Sequence, residues 1–102
     1  MGNVFKNISN STVINESVVK NCFNKITSDG DDSLANALLE VAEQIEASKN
    51  PKAGELFNSF ADEVAKDNPS KTVLKTLWDG VIGQLPHINS MVSVIEKIAR
   101  LF

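Results

Sequence analysis

Residues 50–70 read NPKAGELFNSFADEVAKDNPS, and this stretch decides the fold class. It begins with Asn50, which can cap a helix, and Pro51, which suits the first helical position. Apolar side chains then recur every three or four residues, the spacing of one helix face, at Leu56, Phe57, Phe60, Ala61 and Val64. The Asn-Pro-Ser sequence at 68–70 ends this helix and begins another in the same way. The stretch therefore predicts an amphipathic helix between two sharp turns.

The pattern continues towards the amino terminus, where it predicts two more helices. The first covers about 16–28, with a cap at Asn15 or Ser17, and stops at Gly30. The second begins at Asp31 or Asp32 and runs to the Asn-Pro turn. Its apolar face is formed by Leu34, Leu38, Val41, Ala42 and Ile45, with Glu40, Glu43 and Glu46 outside that face.

Towards the carboxyl terminus the spacing predicts a fourth and a fifth helix. The fourth runs from about Ser70 to Leu85 and carries Trp78 on its apolar stripe. The fifth follows Pro86, begins at about 87 or 89, and ends near 100. We therefore expect an all-α, compact bundle of about five helices in a domain at 16–102. Glycines at 80 and 83 predict a close approach between helices or a hinge.

Residues 1–15 differ from the rest, because they are rich in Asn, Ser and Thr and show no helical spacing. The run Thr12-Val13-Ile14 is β-branched and favours an extended backbone. We expect an extended N-terminal arm, with a short strand or extended segment at about 8–14. Its open backbone groups require a partner, which can be the same arm of another copy or its own bundle. The alternative is a frayed terminus.

Composition excludes several classes of protein. The 102 residues suit one domain, and 42% hydrophobic with 23% charged residues suits a globular chain. A net charge of −3 with sparse basic side chains argues against nucleic acid as a partner. The acidic residues concentrate in 31–70, which allows charge pairing between copies or simply a solvated face. One cysteine, no apolar run of about 18 residues and no leader sequence predict a cytoplasmic protein.

The sequence offers no group of residues for catalysis or metal binding. Cys22 lies on the apolar face of the first helix, where we expect a buried and inert thiol. His87 is the single histidine and has no titratable neighbour in sequence. We therefore expect no enzymatic activity, no catalytic residues, no metal site and no cofactor.

One resemblance follows from the layout. The arm at residues 7–15, NISNSTVIN, leads directly into compact helices. This arrangement resembles the small helical adaptor modules of bacterial conflict systems, which are similar to effector-associated and death-like domains. The resemblance lies in size and layout, contains no specific motif, and carries over no functional residue. It implies docking between proteins, without catalysis.

The leading hypothesis is a non-enzymatic protein–protein interaction or self-assembly module, an adaptor or regulator in a bacterial or phage conflict pathway. The fifth helix has more apolar residues than one bundle face can hold, so its surplus predicts an interface. A helix through the bundle centre would bury the same set internally. The candidate interface residues are Ile8, Val13, Ile14, Met91, Val94, Ile95, Leu101 and Phe102. The alternatives are a small-ligand-binding helical oligomer and a membrane-contacting protein that uses residues 73–102.

Overall fold

A computed structural model describes residues 13–102 and confirms the all-α class for this part of the chain. The helices are α1 (Glu16–Ser28), α2 (Asp32–Ser48), α3 (Pro51–Val64), α4 (Lys71–Gln84) and α5 (Val92–Ile98). Two 3₁₀ segments, Pro86–Ser90 and Ala99–Leu101, flank α5. Residues 13–102 contain no strand.

Short polar side chains begin the first four helices, as the sequence predicts. The side-chain oxygens of Asn15, Asp31, Asn50 and Ser70 each accept a hydrogen bond from the backbone N–H three residues on. These bonds satisfy donors that a helix start leaves without an internal partner. The turns after α1 and α2 therefore double as the starts of the next helices.

The end of α1 shows how the chain reverses. The N–H of Gly30 bonds to the carbonyl of Thr27, and the N–H of Asp31 bonds to that of Ile26. Gly30 has φ of 88°, a left-handed conformation that a residue without Cβ adopts at little cost. This pair of bonds is the Schellman motif, so the predicted stop at Gly30 is confirmed.

The fifth predicted helix is in the expected place but is not one continuous α-helix. Pro86 begins a 3₁₀ segment in which Ile88 and Met91 donate to carbonyls three residues earlier. Met91 has ψ of 63°, outside the helical range, and interrupts the helix before α5. Asn89 and Ser90 are weak helix formers, and the Ser90 hydroxyl bonds to the His87 carbonyl instead.

An aromatic cluster joins α3, α4 and the carboxyl terminus at the core. The ring centroid of Phe60 lies 6.2 Å from Phe57, 5.6 Å from Trp78 and 6.4 Å from Phe102. Trp78 is only 4% exposed, which confirms its predicted burial. The close approach predicted at Gly80 is also confirmed, because a Cβ there would lie 3.1 Å from Cδ1 of Leu56. At Gly83 no atom lies within 4 Å of such a Cβ, so this glycine makes no close contact.

Candidate functional site

The segment Val13–Asn15, at the end of the N-terminal arm, lies on α2 and α3 and is held through its backbone. The N–H groups of Val13 and Ile14 donate to one carboxylate oxygen of Glu46, at 3.0 and 3.1 Å. The other carboxylate oxygen accepts from Nζ of Lys49 at 2.8 Å. Glu46 thus accepts bonds from three donors and is only 7% exposed, without an unmet buried polar atom.

Asn58 of α3 completes the contact from the other side. Its Nδ2 donates to the Val13 carbonyl at 3.2 Å, and its Oδ1 accepts from the Asn15 N–H at 2.9 Å. Gly54 of α3 has no side chain, and this allows the segment to approach the helix closely. A Cβ on Gly54 would overlap the Val13 carbonyl and lie 2.9 Å from the Val13 Cβ. We call Glu46, Gly54 and Asn58 the arm seat.

Three features at or beside the arm seat would each destabilise the fold if no contact compensated for them. A carboxylate is buried, a glycine stands inside a helix, and Lys49 adopts a left-handed backbone with φ of 55°. Lys49 ends α2 where glycine or asparagine is usual, and its ammonium pairs with Glu46. Such features persist in one place only when the surrounding contacts compensate for them. The seat therefore holds the backbone of Val13–Asn15 by several contacts at once.

The sequence prediction that Glu46 lies outside the buried face of α2 is wrong. Helical spacing puts Glu46 at the edge of the stripe, next to the fully buried Ile45. Two of its hydrogen-bond donors, the N–H groups of Val13 and Ile14, come from more than 30 positions earlier in the chain, which no local pattern reveals. Gly54 and Asn58 were not predicted either, and the only signal for them is a glycine near the start of an amphipathic helix.

The structure separates the candidate interface residues into groups. Ile8 lies outside the described residues, as does most of the expected extended segment 8–14. Ile14 is 5% exposed and Val94 is 6% exposed, so both belong to the core of their own bundle. Val13 and the rest of the set pack against that core and stay partly accessible, namely Met91, Ile95, Leu101 and Phe102.

Apolar side chains at the start of α5 are only partly covered. Val92 is 60% exposed, the highest value among the large hydrophobic side chains of residues 13–102. Met91, which precedes α5, and Ile95, which lies within it, are half-buried and pack against the core. We call Met91, Val92 and Ile95 the α5 face; of the three, only Val92 is exposed.

Cys22 and His87, the side chains best suited to catalysis or metal binding, lie in different parts of the described structure. The predicted burial of Cys22 is confirmed, and burial raises the pKa of its thiol to about 12, although nearby Lys25 opposes the shift. His87 is exposed in the 3₁₀ segment after α4. Within residues 13–102, no three His, Cys, Asp or Glu side chains form a group that could hold a metal ion.

One cavity of about 360 Å³ opens where the ends of α1 and α3 meet the starts of α2 and α4. Among the helices of the described chain, none has the length and apolar character needed to span a bilayer. Comparisons with protein-family models, curated proteins and solved structures give no match to this chain.

Proposed function

We propose that this chain is a non-enzymatic protein–protein interaction module that self-assembles. As part of the same proposal, it acts in the cytoplasm as an adaptor or regulator of a bacterial or phage conflict pathway. The α5 face is the observation that carries the proposal, and its partner is a second copy of the chain.

Solvent exposure at the α5 face supports a partner there. Val92 is the most exposed large hydrophobic side chain in the described part of the chain, and two half-buried apolar residues adjoin it. Methionine is enriched at interface cores, and Met91 is a flexible side chain that can adapt to an opposing surface. A stable dimer buries about 800 Å² on each partner, so the contact must extend beyond this face.

The arm seat supports the same proposal in a different way. It holds the backbone of Val13 and Ile14 on α2 and α3 through Glu46 and Asn58. The candidate interface residue Ile8 lies outside the described residues. In this proposal the residues before Val13 contribute to the contact between copies, and an attachment at Val13 lowers the entropy that they lose on docking.

Two measurements test the proposal. Size-exclusion chromatography with light scattering gives the solution mass, and circular dichroism gives the helix content. Val92→Asp should lower the solution mass and keep the helical signal, because its side chain is mostly solvent-exposed in the single chain. Val73→Asp is the matched control, since Val73 is exposed at 41% on another helix and its replacement should leave the mass unchanged.

A third variant separates assembly from folding. Val94→Asp places an unpaired charge in the core and should unfold the chain. The proposal is wrong if the unaltered chain is a monomer at every concentration, or if Val92→Asp and Val73→Asp give the same mass.

A further inference from the structure

The cavity between the helix ends combines an apolar floor with charged side chains at its rim. Its floor and walls are formed by residues of α1 to α4, of the loop before α4 and of the last 3₁₀ segment, namely Ile26, Leu34, Val64, Pro69, Leu74 and Leu101. The volume of about 360 Å³ is at the lower end of the range of small-molecule sites, roughly 300–1,000 Å³. A ligand that fits it is therefore small and presents an apolar group to the floor.

Two of the four charged residues at the cavity are already committed to the fold. Nζ of Lys25 donates to the Val64 carbonyl at 2.8 Å and also to the Lys66 carbonyl. The Asp31 carboxylate accepts from the Leu34 N–H at 3.0 Å and caps α2. These bonds hold Lys25 against the end of α3 and one carboxylate oxygen of Asp31 against the start of α2.

The other two charged residues are Asp29 and Lys71, and they have opposite signs. Both line the cavity and both are exposed. They do not pair with each other, and within residues 13–102 neither side chain makes a hydrogen bond or ion pair. Among the described residues, the cavity therefore presents one carboxylate and one ammonium without a partner, beside an apolar floor.

We propose that this cavity binds a small zwitterion with an apolar side chain, the chemistry of a free hydrophobic amino acid. Its carboxylate pairs with Lys71, its ammonium pairs with Asp29, and its side chain covers the floor near Leu74 and Leu101. The site is separate from the α5 face, so the inference goes beyond the proposed self-assembly and does not depend on it. Because both rim charges are solvated, we expect a dissociation constant in the millimolar range.

A titration followed by amide NMR tests the proposal with three probes. L-leucine carries both charges, 4-methylpentanoate lacks the ammonium, and 3-methylbutylamine lacks the carboxylate. Leucine should shift the resonances of residues around the cavity, and each half-probe should bind about tenfold more weakly. If either half-probe binds as tightly as leucine, the zwitterion is the wrong class of ligand.

Two variants test which side chain pairs with which charged group of the ligand. Lys71→Met should weaken leucine and 4-methylpentanoate by several-fold and leave the amine unchanged, whereas Asp29→Asn should do the converse. The matched controls are Lys52→Met, in the first turn of α3, and Asp67→Asn, in an exposed loop. Equal effects of the controls would show nonspecific ion pairing, and no shift at the solubility limit of leucine would overturn the proposal.

Discussion

Replacing Gly54 with alanine tests whether the arm seat holds the amino-terminal segment as the structure indicates. The new Cβ would overlap the carbonyl of Val13 and lie 2.9 Å from its Cβ, and the nearest atoms are mostly backbone. Backbone cannot move aside as a flexible side chain can. The segment must therefore lift away from α3, and its hydrogen bonds to the seat must lengthen or break.

The expected destabilisation follows from the interactions that hold the segment. Three hydrogen bonds join the backbone of Val13 and Ile14 to Glu46 and Asn58, and each contributes about 1 kcal/mol. Ile14 is almost fully buried, which contributes about 1.5–3 kcal/mol. Alanine in place of glycine inside a helix returns about 0.5–1 kcal/mol. Because the segment gives up only some of these interactions when it lifts, Gly54→Ala should destabilise the protein by about 2–4 kcal/mol.

The chain contains its own controls, because two other glycines lie inside helices. Gly83→Ala meets no atom within 4 Å and should be neutral or stabilise the protein by up to about 1 kcal/mol. Gly80→Ala meets only the flexible end of Leu56, so its effect should lie between the other two. Urea unfolding followed by helical circular dichroism measures all three on one scale.

A double-mutant cycle tests whether lost contacts of the segment Val13–Asn15 cause the destabilisation by Gly54→Ala. Ile14→Ala should cost about 2–5 kcal/mol alone, and clearly less in a chain that already carries Gly54→Ala. Fully additive effects would mean that Gly54 acts elsewhere than on the segment. The reasoning about the seat fails if Gly54→Ala is as stable as the unaltered chain or as Gly83→Ala.

Three further predictions concern the core and the loops. Trp78→Ala should cost roughly 3–5 kcal/mol in urea unfolding, because the indole packs on Phe60; a red-shifted, freely quenched tryptophan emission from the folded protein would contradict its burial. Hydrogen bonds from the Ser70 N–H and from Lys66 lower the pKa of Glu63. Its contribution to stability is therefore present above the ordinary carboxyl range and is lost as the pH falls through the lowered pKa. Glu63→Gln should flatten that part of the curve of stability against pH. Cys22 should react with a thiol reagent only when the chain unfolds, and rapid labelling under native conditions would refute the inert assignment.

The helices were predictable because their signals are local. A cap and an apolar stripe occupy consecutive residues, so the stretch 50–70 places α3 correctly without any knowledge of the rest. The same holds for α1, whose observed bounds Glu16–Ser28 match the predicted range. The break at Met91 was harder to predict from the sequence. Pro86 indicates a helix boundary but does not specify that the next turn is 3₁₀.

The arm seat was not predictable, for a physical reason. Residue type alone assigns a glutamate to the solvated side of a helix, because burial of a lone carboxylate is costly. Burial of Glu46 is compensated by hydrogen bonds, two of them from the N–H groups of Val13 and Ile14. Whether this glutamate lies inside or outside therefore depends on contacts between residues that are far apart in sequence.

The same contacts explain why the segment Val13–Asn15 contributes to the stability of the helical bundle. Val13 and Ile14 bond to α2 through Glu46, while Asn15 bonds to α3 and caps α1. Three helices thus share one short segment, and none of the three can release it without exposing a polar group that the segment satisfies. Since an unmet buried acceptor costs about 1–3 kcal/mol, detachment of the segment from the buried Glu46 should lower the stability of the bundle.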